Sequence, residues 1–285
     1  MNHEIAIVTD TNSGLSTEEA EKMGVSLIPM PVIIDGTTYY ENLSIGQEDF
    51  FRLLGQGAEV STSQPPLGML MKRWKELLQD HESIIYLPMS SGLSGSCGAA
   101  KMLAKEYGGR VYVVDNHRIS VTLRQSVLEA RHLALQGKPA EEIVDYLSQD
   151  GPESSIYIAV NTLELLKRSG RVTAAGAAVS AILGIKPVLQ IQGGKLDAYK
   201  KVRGMKYAME AMIAGLKQDR DCRFAGQKLM IRAAYSGNPE NGELWRETLQ
   251  AAFPELNIGI DPLPLSIACH TGDGALGVGM TKDIL

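Results

Sequence analysis

Three short apolar runs, Ile5-Ala6-Ile7-Val8, Ser83-Ile84-Ile85-Tyr86-Leu87 and Val111-Tyr112-Val113-Val114, each open into a polar loop, and a helical stretch follows each loop. Continuous apolar runs of this length suit strands of a parallel sheet, because such strands are covered by helices on both faces. The alternation predicts an α/β fold with a mostly parallel N-terminal sheet, and in such sheets ligands gather at the carboxyl ends of the strands. The first helix carries its own boundary signals. Ser16 with Glu19 three residues later has capping-box spacing, and Gly24 can close the helix. Ser26 to Ile34 reads as one further strand, demoted to an edge or bulged path by Pro29 and Pro31. Further helices are expected at Phe50 to Leu54, Leu67 to Leu78, Cys97 to Tyr107 and Leu123 to Gln136, with another opening at Lys138-Pro139.

A length of 285 residues exceeds what one core usually serves, so two domains are expected. Gln149-Asp150-Gly151-Pro152-Glu153-Ser154 is polar, carries both Gly and Pro, and marks the expected boundary between residues 1–152 and 153–285. The second half opens with strand Ser155 to Val160. A segment from Leu163 to Arg168 then ends at Ser169-Gly170-Arg171, and Thr173 can cap the run Ala174 to Leu183. That run has almost no polar side and few large residues, as in a helix packed closely on another backbone or beside a ligand. Ile185 to Ile191 and Lys195 to Tyr199 flank Gln192-Gly193-Gly194 as a hairpin, and helix Met205 to Leu216 follows. Leu229 to Tyr235, the helix around Glu243 to Ala252, and Leu256 to Ile260 form a βαβ unit. Pro264 to Cys269 reads as a strand running into the glycine-rich loop from His270 to Gly277, which puts His270 at a strand's end.

A net charge of -5 opposes a general affinity for nucleic acid or acidic membranes. Cys97, Cys222 and Cys269 are far apart and form neither a disulfide framework nor a zinc pattern, and the five histidines lack metal-site spacing, so no metal is expected. The N-terminus runs from Met1-Asn2-His3-Glu4 into a strand with no leader pattern, and no apolar run approaches a membrane span. A cytoplasmic protein is expected. Dinucleotide and P-loop glycine signatures are absent.

Two loops stand out for their hydroxyls. Ser90-Ser91-Gly92-Leu93-Ser94-Gly95-Ser96 sits between a strand and a helix, where small residues bring amides and hydroxyls together and a helix N-terminus favours negative charge. Ser61-Thr62-Ser63-Gln64-Pro65-Pro66 also precedes a helix. Each loop read alone is either an anion pocket or a turn with a helix cap.

Taken in order and spacing, eight stretches resemble the DegV family over essentially the whole chain: Asp10-Thr11-Asn12-Ser13, Thr62-Ser63-Gln64-Pro65, Ser90 to Gly95, Val113-Val114-Asp115, Gly170-Arg171, Lys186 to Leu189, Lys201 to Gly204, and His270 to Gly277. The resemblance implies two α/β domains, the second with a mixed sheet and helices, and a long-chain fatty acid between them. It further implies a carrier without catalysis or cofactor of its own, which presents the acid to an ATP-dependent fatty acid kinase subunit for conversion to an acyl phosphate used in phospholipid synthesis. Thr62 and Ser94 would bind the carboxylate with His270 nearby. Asp10, Ser63, Ser91, Gly92, Gly95, Arg171, Arg203 and Thr271 would form the pocket or its rim. Membrane contact would be transient at most.

The chain departs from the family pattern at Asp273, where proline is common, and at Asn116-His117, where a small hydroxyl residue is more usual. An acidic side chain in a carboxylate site would repel the ligand, so Asp273 must face away, be protonated or pair with a cation. Two other readings compete. A hydrolase or acyltransferase would use Ser94 or Cys97 as nucleophile, His270 as base and Asp273 or Asp10 as orienter, though Ser94 lacks the G-x-S-x-G elbow. A sugar or triose kinase subunit would need a narrow polar pocket instead of a long apolar one.

Overall fold

The computed structural model describes residues 5–177, 184–192 and 194–285. Strands and helices follow one another in the order β1 (Ile5–Asp10), α1 (Thr17–Met23), β2 (Ser26–Ile28), β3 (Pro31–Ile34), β4 (Thr37–Tyr40), α2 (Gln47–Gly55), β5 (Val60–Thr62), α3 (Leu67–Asp80), β6 (Ser83–Leu87), α4 (Ser96–Ala104), β7 (Val111–Val113), α5 (Val121–Leu135) and α6 (Ala140–Asp150), alternating except at β2 to β4 and at α5 to α6. The second half continues with β8 (Ser154–Ala159), α7 (Glu164–Ser169), α8 (Ala174–Ala177), β9 (Ile185–Ile191), β10 (Asp197–Arg203), α9 (Met205–Cys222), β11 (Leu229–Tyr235), α10 (Pro239–Ala252), β12 (Gly259–Pro262), α11 (Leu265–Thr271) and β13 (Leu276–Lys282).

The N-terminal sheet has strand order β2-β1-β6-β7, all parallel. Its two faces bury separate apolar clusters. Ile7, Ile85 and Leu87 face α5 and α6, whereas Val8, Ile84 and Tyr86 face α3 and α4. The capping box at Ser16 and Glu19 forms as expected, and Gly24 closes α1 in the left-handed region. The second large sheet is mixed, with order β10-β9-β8-β13-β11-β12, and only β11 and β12 run parallel. The βαβ unit and the antiparallel pairing of β9 with β10 both match expectation. The small-residue run expected to form one helix to Leu183 begins one at α8, and its residues 178–183 lie outside the described residues.

Three sequence expectations need correction. The supposed single strand from Ser26 to Ile34 is two strands in different sheets: β2 is an edge of the parallel sheet, and β3 is the centre of a three-stranded antiparallel sheet, order β4-β3-β5. Pro29 and Pro31 flank the switch, since proline cannot donate to a continuing ladder. The small sheet itself was not foreseen. Its signal was the Asp35-Gly36 pair, which turns with positive φ at both residues (47° and 79°), as a two-residue hairpin requires. The third correction is at Pro264 to Cys269, which is not a strand. After Pro264 the chain forms α11, with Leu265, Ala268 and Cys269 packed on Val32, Ile34 and Val60 of the small sheet. The six residues from Pro264 to Cys269 make too few turns for their period to distinguish helix from strand.

Backbone contact between the halves is close at one point. A Cβ at Gly92, in the loop after β6, would stand 2.7 Å from the Gly194 backbone between β9 and β10. Gly92→Val is expected to cost about 1–3 kcal/mol by overpacking, whereas Gly98→Ala in α4, where a new Cβ meets nothing within 4 Å, should raise stability slightly. Thermal melts of the two variants check this contact; Gly92→Val melting no lower than the parent would refute it.

Candidate functional site

The loop after β6 and the loop after β1 lie at the carboxyl edge of the parallel sheet, as expected, but Thr62 arrives from elsewhere. It is the last residue of β5, an edge of the small antiparallel sheet. Arg168 of α7 fixes that strand by donating to Val60 O (3.0 Å), and Cys269 Sγ lies 3.8 Å from Ser61 O. His270 occupies the last turn of α11, so the small sheet and α11 together bring Thr62 Oγ1 to 3.0 Å from His270 Nε2. Ser94 comes from the third direction. Its N–H donates to Ser90 O and its Oγ accepts from Ser96 N (3.2 Å), which leaves the hydroxyl proton available to a ligand. Gly95 caps α4, so the partial positive charge of that helix end adds to the site.

These groups border one cavity of about 270 Å³. Thr62, Ser63, Gln64, Ser94, Arg171 and His270 make its polar part; Met30, Met89, Leu93, Ile119, Leu196 and Ile267 make its apolar wall. A second recess, about 60 Å³ and almost wholly aliphatic, shares Leu93, Ile119, Leu196, Ile267 and Thr271 with the first. It runs along the mixed sheet beside Ile156, Ile158, Ile191 and Val278. On the other side of the Thr62 and His270 pair lies a polar hollow of about 240 Å³ bordered by Glu59, Arg168 and Arg171. The arrangement is a polar head region flanked by an aliphatic recess and by a polar hollow in which Arg168 pairs with Glu59 (3.8 Å).

Electrostatics favour neutral donors in the head region. Burial, then Arg171 and Arg168, push His270 down from 6.5 to about 4, so its imidazole is neutral at pH 7. Burial raises Cys97 to about 11 and Cys269 to about 12, which leaves both as thiols and poor nucleophiles. Asp10 is fully buried and pushed by burial up to about 6, while its carboxylate accepts from Asn12 N (3.0 Å) and Met89 N (3.1 Å). It shapes the loop and does not face the ligand space. No group of His, Cys, Asp and Glu among the described residues could hold a metal ion.

Of the other expected rim residues, Ser63, Gly95, Arg171 and Thr271 border the cavity. Ser91 is exposed and donates its N–H to Asp115, Gly92 packs on Gly194, and Arg203 is exposed at the end of β10. Asn12 and Gln64, which border the cavity too, lie in two of the stretches that carry the family resemblance, whereas reading the sequence missed Met30, Met89, Ser266 and the aliphatic wall, because these come together only in space. Leu93 was the one visible hint, a large apolar residue inside a serine-glycine loop.

The DegV family model, described as one of uncharacterised proteins, matches residues 4–283. A DegV domain-containing protein of Deinococcus radiodurans is 31% identical over 280 residues, covering 97% of this chain and 98% of the relative. The chain belongs to the DegV family. The fatty-acid-binding DegV family protein of Thermus thermophilus superposes with a TM-score of 0.90 at 29% identity, covering 98% of this chain and all of the neighbour. DegV of Bacillus subtilis, described as a fatty acid binding protein, has a TM-score of 0.87 at 26% identity, with 98% and 99% covered. The two DegV departures prove harmless to the cavity. Asp273 is exposed and stands against Gly237, with its carbonyl taken by Asn161 Nδ2 (2.8 Å). Asn116 is buried on Ser126 Oγ (2.8 Å), and His117 Nδ1 lies 3.6 Å from Asp115 on the surface.

Proposed function

We propose that this chain binds one long-chain fatty acid between two domains, residues 1–152 and 153–285, with its carboxylate at Thr62 and Ser94 and His270 beside it. The observation that carries the reading is the chemistry of two adjoining cavities that share walls: hydroxyls, a neutral imidazole and Arg171 in the polar part of the first, aliphatic side chains in the rest of it and along the second. Hydroxyl donors and a neutral imidazole hold a carboxylate by hydrogen bonds, and the Arg171 charge at the same end attracts it. Burial of the tail contributes roughly 0.8 kcal/mol per methylene and dominates the affinity. The likeness to DegV proteins described as fatty-acid-binding supports the same ligand.

In this reading the chain is a carrier without its own catalysis or cofactor. It works in the bacterial cytoplasm and presents the acid to an ATP-dependent fatty acid kinase subunit, which makes the acyl phosphate for phospholipid synthesis. The hollow beside Arg168 and Arg171 offers a phosphoryl group a cationic approach to the carboxylate. No helix among the described residues is long and apolar enough to cross a membrane. The hydrolase alternative gains nothing from the geometry, since Thr62 engages His270 Nε2 and the Cys97 thiol is pushed away from ionisation.

Mass spectrometry of an organic extract of the purified protein, with native mass spectrometry for stoichiometry, is expected to show one long-chain fatty acid per chain. No lipid, together with no binding of added palmitic acid, would overturn the reading. Turnover of p-nitrophenyl esters that disappears in Ser94→Ala would revive the hydrolase.

A further inference from the structure

Strand β13 opens with Leu276-Gly277-Val278-Gly279, which puts two glycines on one face, although glycine in a strand interior weakens the strand. That face is the one turned to the cavity. In register, Gly277 lies between Ile158 of β8 and Ala234 of β11, and Gly279 lies between Ile156 and Arg232. Ile156, Ile158 and Ala234 belong to the buried cluster that Leu93, Ile119 and Val121 of the first half join. Packing accounts for Gly279. A Cβ there would stand 2.5 Å from Val121 Cγ2 and 2.8 Å from Thr122 Cγ2, so α5 occupies the place of a side chain. Gly277 has no such reason. A Cβ there would make only ordinary contacts, 3.7 Å to Ala234 Cβ and to Tyr157 O and 3.8 Å to Ile158 Cγ1, and its backbone lies outside the left-handed region that favours glycine. What glycine leaves at this position is room. Gly277 and Ala234 both border the aliphatic recess of about 60 Å³, which shares Leu93, Ile119, Leu196 and Ile267 with the larger cavity.

We propose that Gly277, with its cross-strand neighbour Ala234, sets the length of acyl tail that the protein accepts, the methyl end of the tail passing the shared aliphatic wall to lie against the sheet at Gly277. The inference rests on the fatty-acid reading of the cavity and deepens it by naming the residues that limit the ligand. A recess with an aliphatic wall offers water no hydrogen bonds, so methylenes are the groups that gain by entering it. Each added methylene strengthens binding roughly fourfold while room lasts. A side chain introduced at position 277 or enlarged at position 234 takes that room from the far end of the tail and leaves the head-group contacts at Thr62, Ser94 and His270 alone.

The test measures Kd for lauric, myristic, palmitic and stearic acids by displacement of a fluorescent fatty acid, in the parent, Gly277→Val and Ala234→Leu proteins. Affinity in the parent is expected to rise with length until the recess is full. In both variants the rise should stop one step of the series earlier, so that the longest acid the parent accommodates loses roughly tenfold while shorter acids keep the parent's Kd. If Gly277→Val does not fold, Ala234→Leu decides. Gly277→Ala should melt no lower than the parent; a lower melting temperature would show that the glycine serves packing and would overturn the proposal. The same length profile in all three proteins, or an equal loss for every acid, overturns it too and leaves the fatty-acid reading standing. Failure of all four acids to bind the parent removes that reading and the proposal together.

Discussion

Thr62→Ala combined with Ser94→Ala is expected to weaken fatty-acid binding by about 2–6 kcal/mol, at least roughly thirtyfold in Kd. Each hydroxyl is a neutral donor to a charged acceptor, and a carboxylate left unpaired in a cavity lined by Leu93, Ile119 and Ile267 retains its desolvation penalty. Each single variant should cost about 1–3 kcal/mol. The two need not add, because Thr62 also holds His270 Nε2 at 3.0 Å, and removing it frees the imidazole to turn. Titration calorimetry with a soluble fatty acid on all four proteins of the cycle gives the coupling directly. Melting temperatures close to the parent's would show that the loss is one of binding. Unchanged affinity in the double variant would place the head group elsewhere.

The second large effect is on stability and concerns a residue that touches no ligand. Glu41, just after β4 and only 4% exposed, accepts from Leu265 N (2.5 Å) with one oxygen and from the Thr11 hydroxyl (2.8 Å) with the other. It thus ties the small sheet to the start of α11 and to the loop after β1, the three parts that place Thr62, His270 and Asn12. Burial pushes it from its ordinary 4.5 up to about 7, against the lowering effect of those hydrogen bonds. With the folded pKa above the unfolded one, the native state keeps a proton that the unfolded chain releases. The contribution is fully present below pH 4.5, falls as pH rises, and is gone above about 7. The span corresponds to about 3 kcal/mol.

Glu41→Gln keeps the shape and an acceptor for Leu265 N but does not titrate. Its stability relative to the parent is therefore expected to rise by about 3 kcal/mol between pH 4.5 and 7.5. The comparison cancels the groups common to both proteins, apart from Asp10, whose charge interacts with that of Glu41. Asp10 and Glu129, raised by burial to about 6 and about 7, also make stability fall with pH. His270, lowered to about 4, makes it rise between there and 6.5. All three remain in the variant. Denaturant unfolding at the two pH values checks it; a pH-independent difference between variant and parent would show that Glu41 titrates normally. Glu41→Ala at pH 5 should cost about 2–4 kcal/mol, because it strands the Leu265 N–H and the Thr11 hydroxyl.

Most features that local chemistry governs were legible in the residues, the hairpin turn at Asp35-Gly36 being the exception. The apolar runs at Ile5, Ile84 and Val111 read as doubly covered strands, Ser16 and Glu19 as the opening of a helix, and the hydroxyl loops at Thr62 and Ser94 as candidates for an anion. The family pattern extended this to His270. Tertiary structure decided where these loops meet. Thr62 reaches the site on a sheet whose strands are too short and too polar on one side to show a period, and α11 is too brief for its period to separate helix from strand. Only packing settled the matter, by burying Leu265, Ala268 and Cys269 on that sheet and turning Ser266, Ile267 and His270 to the cavity. The aliphatic wall and the Glu41 tie likewise depend on residues far apart in the chain, and a cavity is a property of what surrounds it, which no single stretch of sequence contains.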